Sequence, residues 1–294
     1  MHSKDDRRLL FCDTARRLYG VGMPAWDNDA MNGVEGARTF QTSGSAYDRF
    51  MGRYSMPLAH RFADAAGVAA GQRVLDVGCG PGALTTVLAD RVGVAAVSAC
   101  DPSPPFLDEC RTRVPGVDAR PGRAEQLPYA DDEFDAALAQ LVLHFVSDPP
   151  AAATEMRRVV RPGGAVAACV WDFAGEMEML RSFWDAAQAL DPDAPDEGRV
   201  MRFGKPGEIS ELFEAAGLVD LVESNLGVSA LYTGFEDLWA GFMEGIGPAG
   251  SYAVALPDDR RRRLRAEVEQ RLDVGSAPFE LAAVARCAVG RVPR

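Results

Sequence analysis

A glycine-rich turn between an apolar strand and a helix constrains this chain more than any other feature. The stretch reads VLDVGCGPGAL from residue 74 to residue 84. Its apolar start predicts a buried strand, its glycines a tight turn, and its end a helix. Backbone N–H groups in such a turn can approach a ligand closely, and Asp76 adds a carboxylate just before it. The combination suits a ligand that carries both a cationic group and a nucleoside.

Strand and helix patterns alternate along the chain up to about residue 172. Apolar runs predict five strands, most of them separated by helices, at 73–77, 95–100, 117–120, 134–141 and 165–171. Repeated βαβ units imply a parallel sheet with helices on both faces. Two later β-rich segments complete a seven-stranded sheet, and helical insertions cap the strand ends. A ligand of such a sheet lies beyond the carboxyl ends of its strands.

The same patterns divide the chain into three parts. Residues 1–45 lack sustained periodicity and are predicted to form a flexible N-terminal arm. Residues 46–172 form the ligand-binding core, and residues 173–294 complete the sheet with helical caps. A helical pattern from Tyr47 to Ala66 precedes the first strand, and Pro57 is expected to separate a short leading turn from the helix proper.

Composition and charge argue against several classes of protein. The net charge of −12 over 294 residues is the opposite of what a nucleic-acid surface needs. The six cysteines contain no Cys-x-x-Cys pair and the three histidines lie far apart, so we predict no metal site. Free thiols in a reducing cytoplasm are the expected state. No apolar run approaches membrane-spanning length, so we expect a cytoplasmic protein without membrane insertion.

The residues alone leave two interpretations of the glycine turn open. Gly78 to Ala83 fits the dinucleotide pattern G-x-G-x-x-G/A, and the stretch from Asp76 fits D-x-G-x-G-x-G. Asp101 ends the second strand and can accept both hydroxyls of an adenosine ribose, although a cap or turn residue would also fit there. A nicotinamide enzyme accounts for the glycines and Asp101 but not for Asp76.

Five motifs make the chain resemble the class I S-adenosylmethionine-dependent methyltransferases, in particular the small-molecule branch with the ubiquinone/menaquinone-type and type 11 enzymes. They are VLDVGCGPGALT (74–85), ACDPSPPFLDECR (99–111), GRAEQLPYADDEFD (122–135), AQLVLHFVSDP (139–149) and EMRRVVRPGG (155–164). The resemblance covers residues 46–172 well and the remainder loosely. It implies a Rossmann-like, mostly parallel sheet with an antiparallel last strand, and S-adenosylmethionine as the cofactor.

The resemblance also implies roles for the residues around the glycine turn. Asp76 would orient the methionine amino group of the cofactor, partly through water. Gly78 and Gly80 would let the backbone pass the methionyl chain, and Asp101 would hold the ribose hydroxyls.

The adenine end would be bound by the two loops that follow the second and third strands. Pro102 and Ser103 would flank the ring, and the backbone N–H of Ala124 would contact N1. Many members of the family carry Asp where this chain has Arg123, so Glu125 is the substitute for the acid that faces the adenine amino group.

The methionine end would meet the fourth strand and the leading helix. Gln140 and Leu141 would contact the methionine moiety. Tyr47 and Arg53 are candidates to close over the cofactor, and Arg53 can pair with the methionine carboxylate.

His144 is the candidate for a general base, because it follows the fourth strand near where a methyl acceptor should lie. An unperturbed imidazole takes a proton near neutral pH. The alternative, which we favour, is a structural or cofactor-lining histidine. Asp172, after the fifth strand, is a weaker candidate and is better explained as a loop cap.

The acceptor is expected to be a small, apolar or aromatic organic molecule. The apolar surface for it would come from the caps, although core packing is the better explanation for most members of the set: Met51, Tyr54, Phe173, Met177, Phe183, Trp184, Phe235, Trp239 and Phe242. The sequence therefore predicts a methyltransferase, with an NAD-dependent oxidoreductase or a non-catalytic S-adenosylmethionine-binding protein as alternatives. It leaves the choice between a monomer and a homodimer open.

Overall fold

The computed structural model describes residues 51–275 and 277–294. The predicted N-terminal arm, residues 1–45, and the candidate cofactor residue Tyr47 lie outside the described residues. Strands from residues 46–172 and from residues 173–294 belong to one sheet. The predicted boundary between these two parts therefore stays a prediction.

Seven strands form this sheet in the order β3-β2-β1-β4-β5-β7-β6. They are β1 (Val74–Val77), β2 (Val97–Asp101), β3 (Asp118–Pro121), β4 (Phe134–Gln140), β5 (Val160–Trp171), β6 (Val219–Tyr232) and β7 (Phe279–Arg291). The first five strands run parallel, and β7 is antiparallel to both β5 and β6. The predicted α/β sheet with an antiparallel last strand is therefore confirmed.

The helices of the described residues lie between these strands and before the first of them. They are α1 (Arg53–Ala65), α2 (Ala83–Val92), α3 (Pro104–Arg113), α4 (Pro149–Val159), α5 (Glu178–Leu190), α6 (Glu208–Ala215), α7 (Phe235–Met243), α8 (Gly247–Ala255) and α9 (Asp258–Leu272). No helix among the described residues has both the length and the apolar character that a membrane crossing requires.

The sheet has a hydrophobic core on each face. Alternate residues of β5 show why: Ala167, Cys169 and Trp171 join one core, and Val166, Ala168 and Val170 join the other. Because side chains alternate across a strand, an uninterrupted apolar run supplies both faces of a sheet that helices cover. This packing holds the strand ends, and the loops that follow them, in fixed positions.

The helices inserted after β5 have a core of their own. Phe183 of α5 contacts Phe242 of α7 with 4.5 Å between ring centroids, and Trp184 contacts Tyr252 of α8 at 5.5 Å. The residues suggested as acceptor surface are all buried. Core packing is therefore what the structure shows for this set, and Phe173 also lines a cavity that is described below.

Two local predictions differ from the structure. Helix α1 runs through Pro57, which was expected to separate it from a leading turn. Proline costs the helix one main-chain hydrogen bond, and burial of the face formed by Tyr54, Leu58 and Phe62 offsets that loss. Helix α8 was not predicted, because its glycines and proline weaken the helical pattern, and packing of its buried small residues stabilises it instead.

Candidate functional site

The strand order reverses between β1 and β4, and a cavity opens beyond the carboxyl ends of these strands. Ligands of open α/β sheets bind at this kind of switch point. Ten of the predicted cofactor residues line the cavity: Asp76, Gly78, Gly80, Asp101, Pro102, Ser103, Ala124, Glu125, Gln140 and Leu141. We call it the cofactor cavity.

Asp76 supplies a buried carboxylate at the floor of the cofactor cavity. Its side chain is 1% exposed, and Oδ2 accepts a hydrogen bond of 2.6 Å from the hydroxyl of Thr85 in α2. Burial raises the pKa of Asp76 to about 8, because the charged form loses its hydration and the Thr85 bond offsets only part of that loss. No basic side chain of the described residues pairs with it, so the ionised form needs a cation from elsewhere.

The glycine turn passes so close to the loop after β4 that side chains are excluded. Gly78 has φ +71°, and a Cβ there would lie 2.5 Å from Cγ2 of Val142. Gly82 precedes α2 with φ +94°, and its added Cβ would meet Cys110 at 3.1 Å. Glycine is therefore needed at both positions for close packing as well as for the backbone conformation.

Asp101 ties the end of β2 to the glycine turn. Its Oδ2 accepts the N–H of Gly80 at 2.9 Å, and its Oδ1 accepts the N–H of Ser103 at 2.8 Å. Burial raises the pKa of Asp101, and the two N–H bonds oppose that rise. Ser103 occupies the N-cap position of α3, but its hydroxyl makes no cap bond.

Glu125 is hydrogen-bonded to the loop before α4. Its Oε1 accepts the N–H of Ser147 at 2.8 Å and the hydroxyl of the same residue at 2.7 Å, while Oε2 lies 3.7 Å from Nε of Arg123. These bonds lower the pKa of Glu125 although its partial burial raises it. The carboxylate joins two loops of the cavity that it lines, and its contact with the adenine amino group stays a prediction.

Gln140 and Leu141 form the end of β4 on the cavity wall. The amide Nε2 of Gln140 donates to the carbonyl of Ser55 in α1 at 3.1 Å, and its Oε1 is buried without a partner among the described residues. Leu141 has φ +62°, a left-handed conformation that costs a leucine about 1–2 kcal/mol. Its N–H bonds to the carbonyl of Cys169 in β5, which holds that conformation in place.

Arg53 lies elsewhere than predicted. Its guanidinium pairs with Asp237 of α7 at 3.0 Å and lies over the ring of Tyr232, 4.5 Å from the centroid. It does not appear on the wall of the cofactor cavity. The assignment of Arg53 to the methionine carboxylate is therefore wrong in this geometry, because the carboxylate of Asp237 takes that place.

His144 lies behind the cavity wall rather than on it. Its Nδ1 is 2.7 Å from the carbonyl of Arg202, so this nitrogen carries the proton and donates it. Burial lowers the pKa of His144 to about 4, and Nε2 is buried without a partner among the described residues. The ring packs against Phe173 with 4.9 Å between centroids. A substrate proton has no route to Nε2, so the structural interpretation replaces that of a general base.

Asp172 is a loop cap, as the sequence indicated. Its Oδ1 accepts the N–H of Gly175 at 2.9 Å, and its Oδ2 pairs with Arg286 of β7. No cluster of metal-ligating side chains is found in the described part of the chain. The cysteines of that part are all free and buried.

Sequence reasoning missed part of the cavity wall. The missed residues are Ser55, Cys79, Pro81, Ala83, Leu84, Phe106, Gly122, Arg123, Val142, Phe145 and Val146. Several of these residues lie inside the five motifs, and membership in a motif was the sequence signal that could have identified them as cavity residues. Ser55 lies in the leading stretch YDRFMGRYSMPLA (47–59), which is similar to the helix before this domain in many bacterial members of the family, and the packing of α1 against the end of β4 brings it to the cavity.

Comparisons with known proteins agree with this geometry. A family model described as a methyltransferase domain matches residues 75–168. An uncharacterised methyltransferase of Mycobacterium bovis is 44% identical over 108 residues, which are 37% of this chain and 43% of that protein. A malonyl-[acyl-carrier protein] O-methyltransferase of Halorhodospira halophila is 35% identical over 156 residues, 51% of this chain and 50% of that protein. The matched segments thus span half or less of these curated relatives.

Solved structures show the same fold over more of the chain. Phosphoethanolamine N-methyltransferase 2 of Haemonchus contortus, in complex with S-adenosylmethionine, superposes with a TM-score of 0.54 at 14% identity. The superposition covers 93% of this chain and 61% of that one. Together with the motifs and the cavity, these matches place the domain around residues 75–168 in the class I S-adenosylmethionine-dependent methyltransferase family, whose cofactor is S-adenosylmethionine.

Proposed function

We propose that this protein transfers the methyl group of S-adenosylmethionine to a small organic acceptor that is apolar or aromatic. One observation carries the proposal: two buried carboxylates, Asp76 and Asp101, lie at the ends of neighbouring strands without a basic partner among the described residues. A ligand with an ammonium group and a ribose satisfies both. The pyrophosphate of a dinucleotide would instead add negative charge beside Asp76, which disfavours the nicotinamide alternative.

Different residues of the cavity would bind different parts of S-adenosylmethionine. Asp76 would hold the ammonium group, and Asp101 would accept the ribose hydroxyls. The backbone N–H of Ala124 would add a polar contact to the adenine ring. The side chains of Leu141, Val142 and Phe145 give the wall an apolar stretch.

Bound S-adenosylmethionine supplies an activated methyl group on a cationic sulfur. The protein then has to align the acceptor and keep water out, which can lower the barrier without a dedicated base. The burial of His144 agrees with such a mechanism, since its imidazole does not reach the cavity. Malonyl-[acyl-carrier protein] O-methyltransferase is among the relatives, which adds carboxylic acids to the acceptors to be tested.

Two measurements test the proposal. Calorimetric titration should show binding of S-adenosylhomocysteine and S-adenosylmethionine, and no binding of NAD. Incubation with methyl-labelled S-adenosylmethionine and a panel of phenols, carboxylic acids, amines and quinones should then label at least one acceptor. Binding of NAD without S-adenosylhomocysteine would favour the oxidoreductase. Cofactor binding with no labelled product across the panel would favour a non-catalytic binding protein.

A further inference from the structure

A second cavity lies at the carboxyl end of β5. It has a volume of about 400 Å³, within the range of about 300–1,000 Å³ found for small-molecule sites. Trp171 and Phe173 line it from the strand end, and residues 198–205 with the start of α6 line it from the other side. We call it the β5 cavity.

The lining of the β5 cavity contacts the loop after β4, which lines the cofactor cavity. Leu141, Val142, Phe145 and Val146 face the cofactor cavity. The guanidinium of Arg202, which lines the β5 cavity, donates from Nη2 to the carbonyl of Val146 at 2.5 Å. A ligand in the β5 cavity would therefore lie one loop away from the cofactor.

Arg202 has no carboxylate partner among the described residues. Its hydrogen bonds go to main-chain carbonyls of the loop after β4, and both come from Nη2, so the donors on Nε and Nη1 remain for a ligand. Burial lowers the pKa of Arg202, with no acid to oppose the shift. By contrast, Arg181, on α5 of the same insertion, pairs with Asp196. A guanidinium on a cavity wall, with donors that no acid of the described residues accepts, favours an anionic ligand.

The other charges around the β5 cavity are mixed. Arg199 and Lys205 add positive charge, and Glu208 and Glu211 add negative charge. Arg199 lies 3.8 Å from Asp196, and Glu208 accepts the backbone N–H of Lys205 at 3.1 Å. These contacts commit Arg199 and Glu208 to the protein itself. Of the two remaining cations, Arg202 has paired N–H donors that suit an oxyanion, whereas Lys205 offers a single ammonium group.

We propose that Arg202 anchors a carboxylate or phosphate group of an organic ligand of the β5 cavity, whose apolar part lies against Phe173 and Trp171. This ligand site is separate from the cofactor cavity, and the inference does not depend on the proposed methyltransferase function. A guanidinium binds either anion through paired N–H donors, so the shared chemistry is an oxyanion attached to an apolar or aromatic body.

Ligand-observed NMR with three matched probes tests the proposal in the presence of saturating S-adenosylhomocysteine. The probes are benzoate, phenyl phosphate and the neutral benzamide. At least one anion should bind the wild-type protein at least about tenfold more tightly than benzamide. Binding of benzoate alone would identify a carboxylate, and binding of phenyl phosphate alone a phosphate. Equal affinity for benzamide, or no anion binding at all, would overturn the proposal.

Variants then assign the anion site. Arg202→Met should weaken anion binding at least about tenfold, whereas Arg262→Met, which removes the same charge from an exposed position of α9, should leave it within about threefold. Because Arg202 also supports the loop after β4, Arg202→Lys provides a second test and should bind with intermediate affinity, since it keeps the charge without the paired donors. Unchanged anion affinity in both Arg202 variants would contradict the proposal.

The S-adenosylhomocysteine affinity of the wild-type protein tests the methyltransferase proposal separately from this inference. If S-adenosylhomocysteine does not bind, the methyltransferase proposal itself fails. If it binds and the anions do not, only the assignment of Arg202 fails.

Discussion

Arg53 of α1 and Asp237 of α7 form an ion pair, with Nη2 3.0 Å from Oδ1. The two residues lie 184 positions apart in the chain. Asp237 also accepts the N–H of Thr233, and Arg53 donates to the carbonyl of Leu231. The pair therefore connects α1 to the end of β6 and to α7 of the helical cap.

Arg53→Gln should lower the free energy of unfolding by up to about 1 kcal/mol, because water screens a pair that is partly exposed. Affinity for S-adenosylhomocysteine should change by less than about threefold, since the guanidinium is not on the cavity wall. Denaturant unfolding and calorimetry measure the two quantities. Asp237→Asn is the matched variant and should behave alike, and the double variant should lose little more than either single one. A tenfold loss of cofactor affinity in Arg53→Gln alone would return Arg53 to the methionine carboxylate.

Gly78→Ala should abolish or greatly weaken cofactor binding. The new methyl group would lie 2.5 Å from Val142, so the wall of the cofactor cavity must shift, at a cost of about 1–3 kcal/mol. Gly67→Ala is the control, because Gly67 has a similar φ of +69° and nothing within 4 Å of an added Cβ. Both variants share the backbone strain, and only Gly78→Ala should lose S-adenosylhomocysteine affinity in calorimetry. Equal affinities would show that the clash does not reach the site.

Binding of S-adenosylhomocysteine should release a proton from Asp76. The pKa of this carboxyl is raised to about 8 in the free protein, so it is largely protonated at pH 6.5, and an ammonium ligand favours the ionised form. Affinity should therefore rise between pH 6 and about 7.5. Calorimetry at pH 6.5 in two buffers of different ionisation enthalpy counts the protons. Asp76→Asn should abolish the release and weaken binding by about 1.5–3 kcal/mol, whereas Asp108→Asn on α3 should do neither. A proton count unaffected by Asp76→Asn would refute the assignment.

His144 should make the protein less stable as the pH falls from 6.5 to 4. Its pKa is 6.5 in an unfolded chain and about 4 in the fold, so the unfolded state binds more protons throughout this window. The free energy of unfolding therefore falls with decreasing pH, by about 3 kcal/mol from this group. His144→Asn keeps a donor for the carbonyl of Arg202 and should flatten the curve measured by denaturant unfolding. His60→Asn, at an exposed position of α1, is the control. Parallel curves for the wild-type protein and His144→Asn would contradict the assignment.

Local patterns predicted most of the fold. The helix Pro104–Arg113 has the predicted bounds, because Pro at its start and Arg at its end agree with the preferences of helix termini. The predicted strands and their parallel direction follow from apolar runs that are mostly separated by helices. The residues of the cofactor cavity were found for the same reason, since the loops after parallel strands must meet at one edge of the sheet.

Side-chain partners were not predictable in the same way. Glu125 bonds to Ser147, which lies 22 positions away, and His144 bonds to Arg202, which lies 58 positions away. The left-handed φ of Leu141 has no signal in a leucine, and the bond from its N–H to Cys169 exists only in the folded sheet.

The sequence by itself determined the strands and helices around the glycine turn and the two carboxylates near the ends of β1 and β2, because these follow from short-range patterns and the rules of parallel sheets. Only the tertiary structure decided that Arg53 binds Asp237, that His144 is buried behind the cavity wall, and that Arg202 stands without an acid. Burial and charge pairing depend on which distant segments pack together, and no local pattern encodes that.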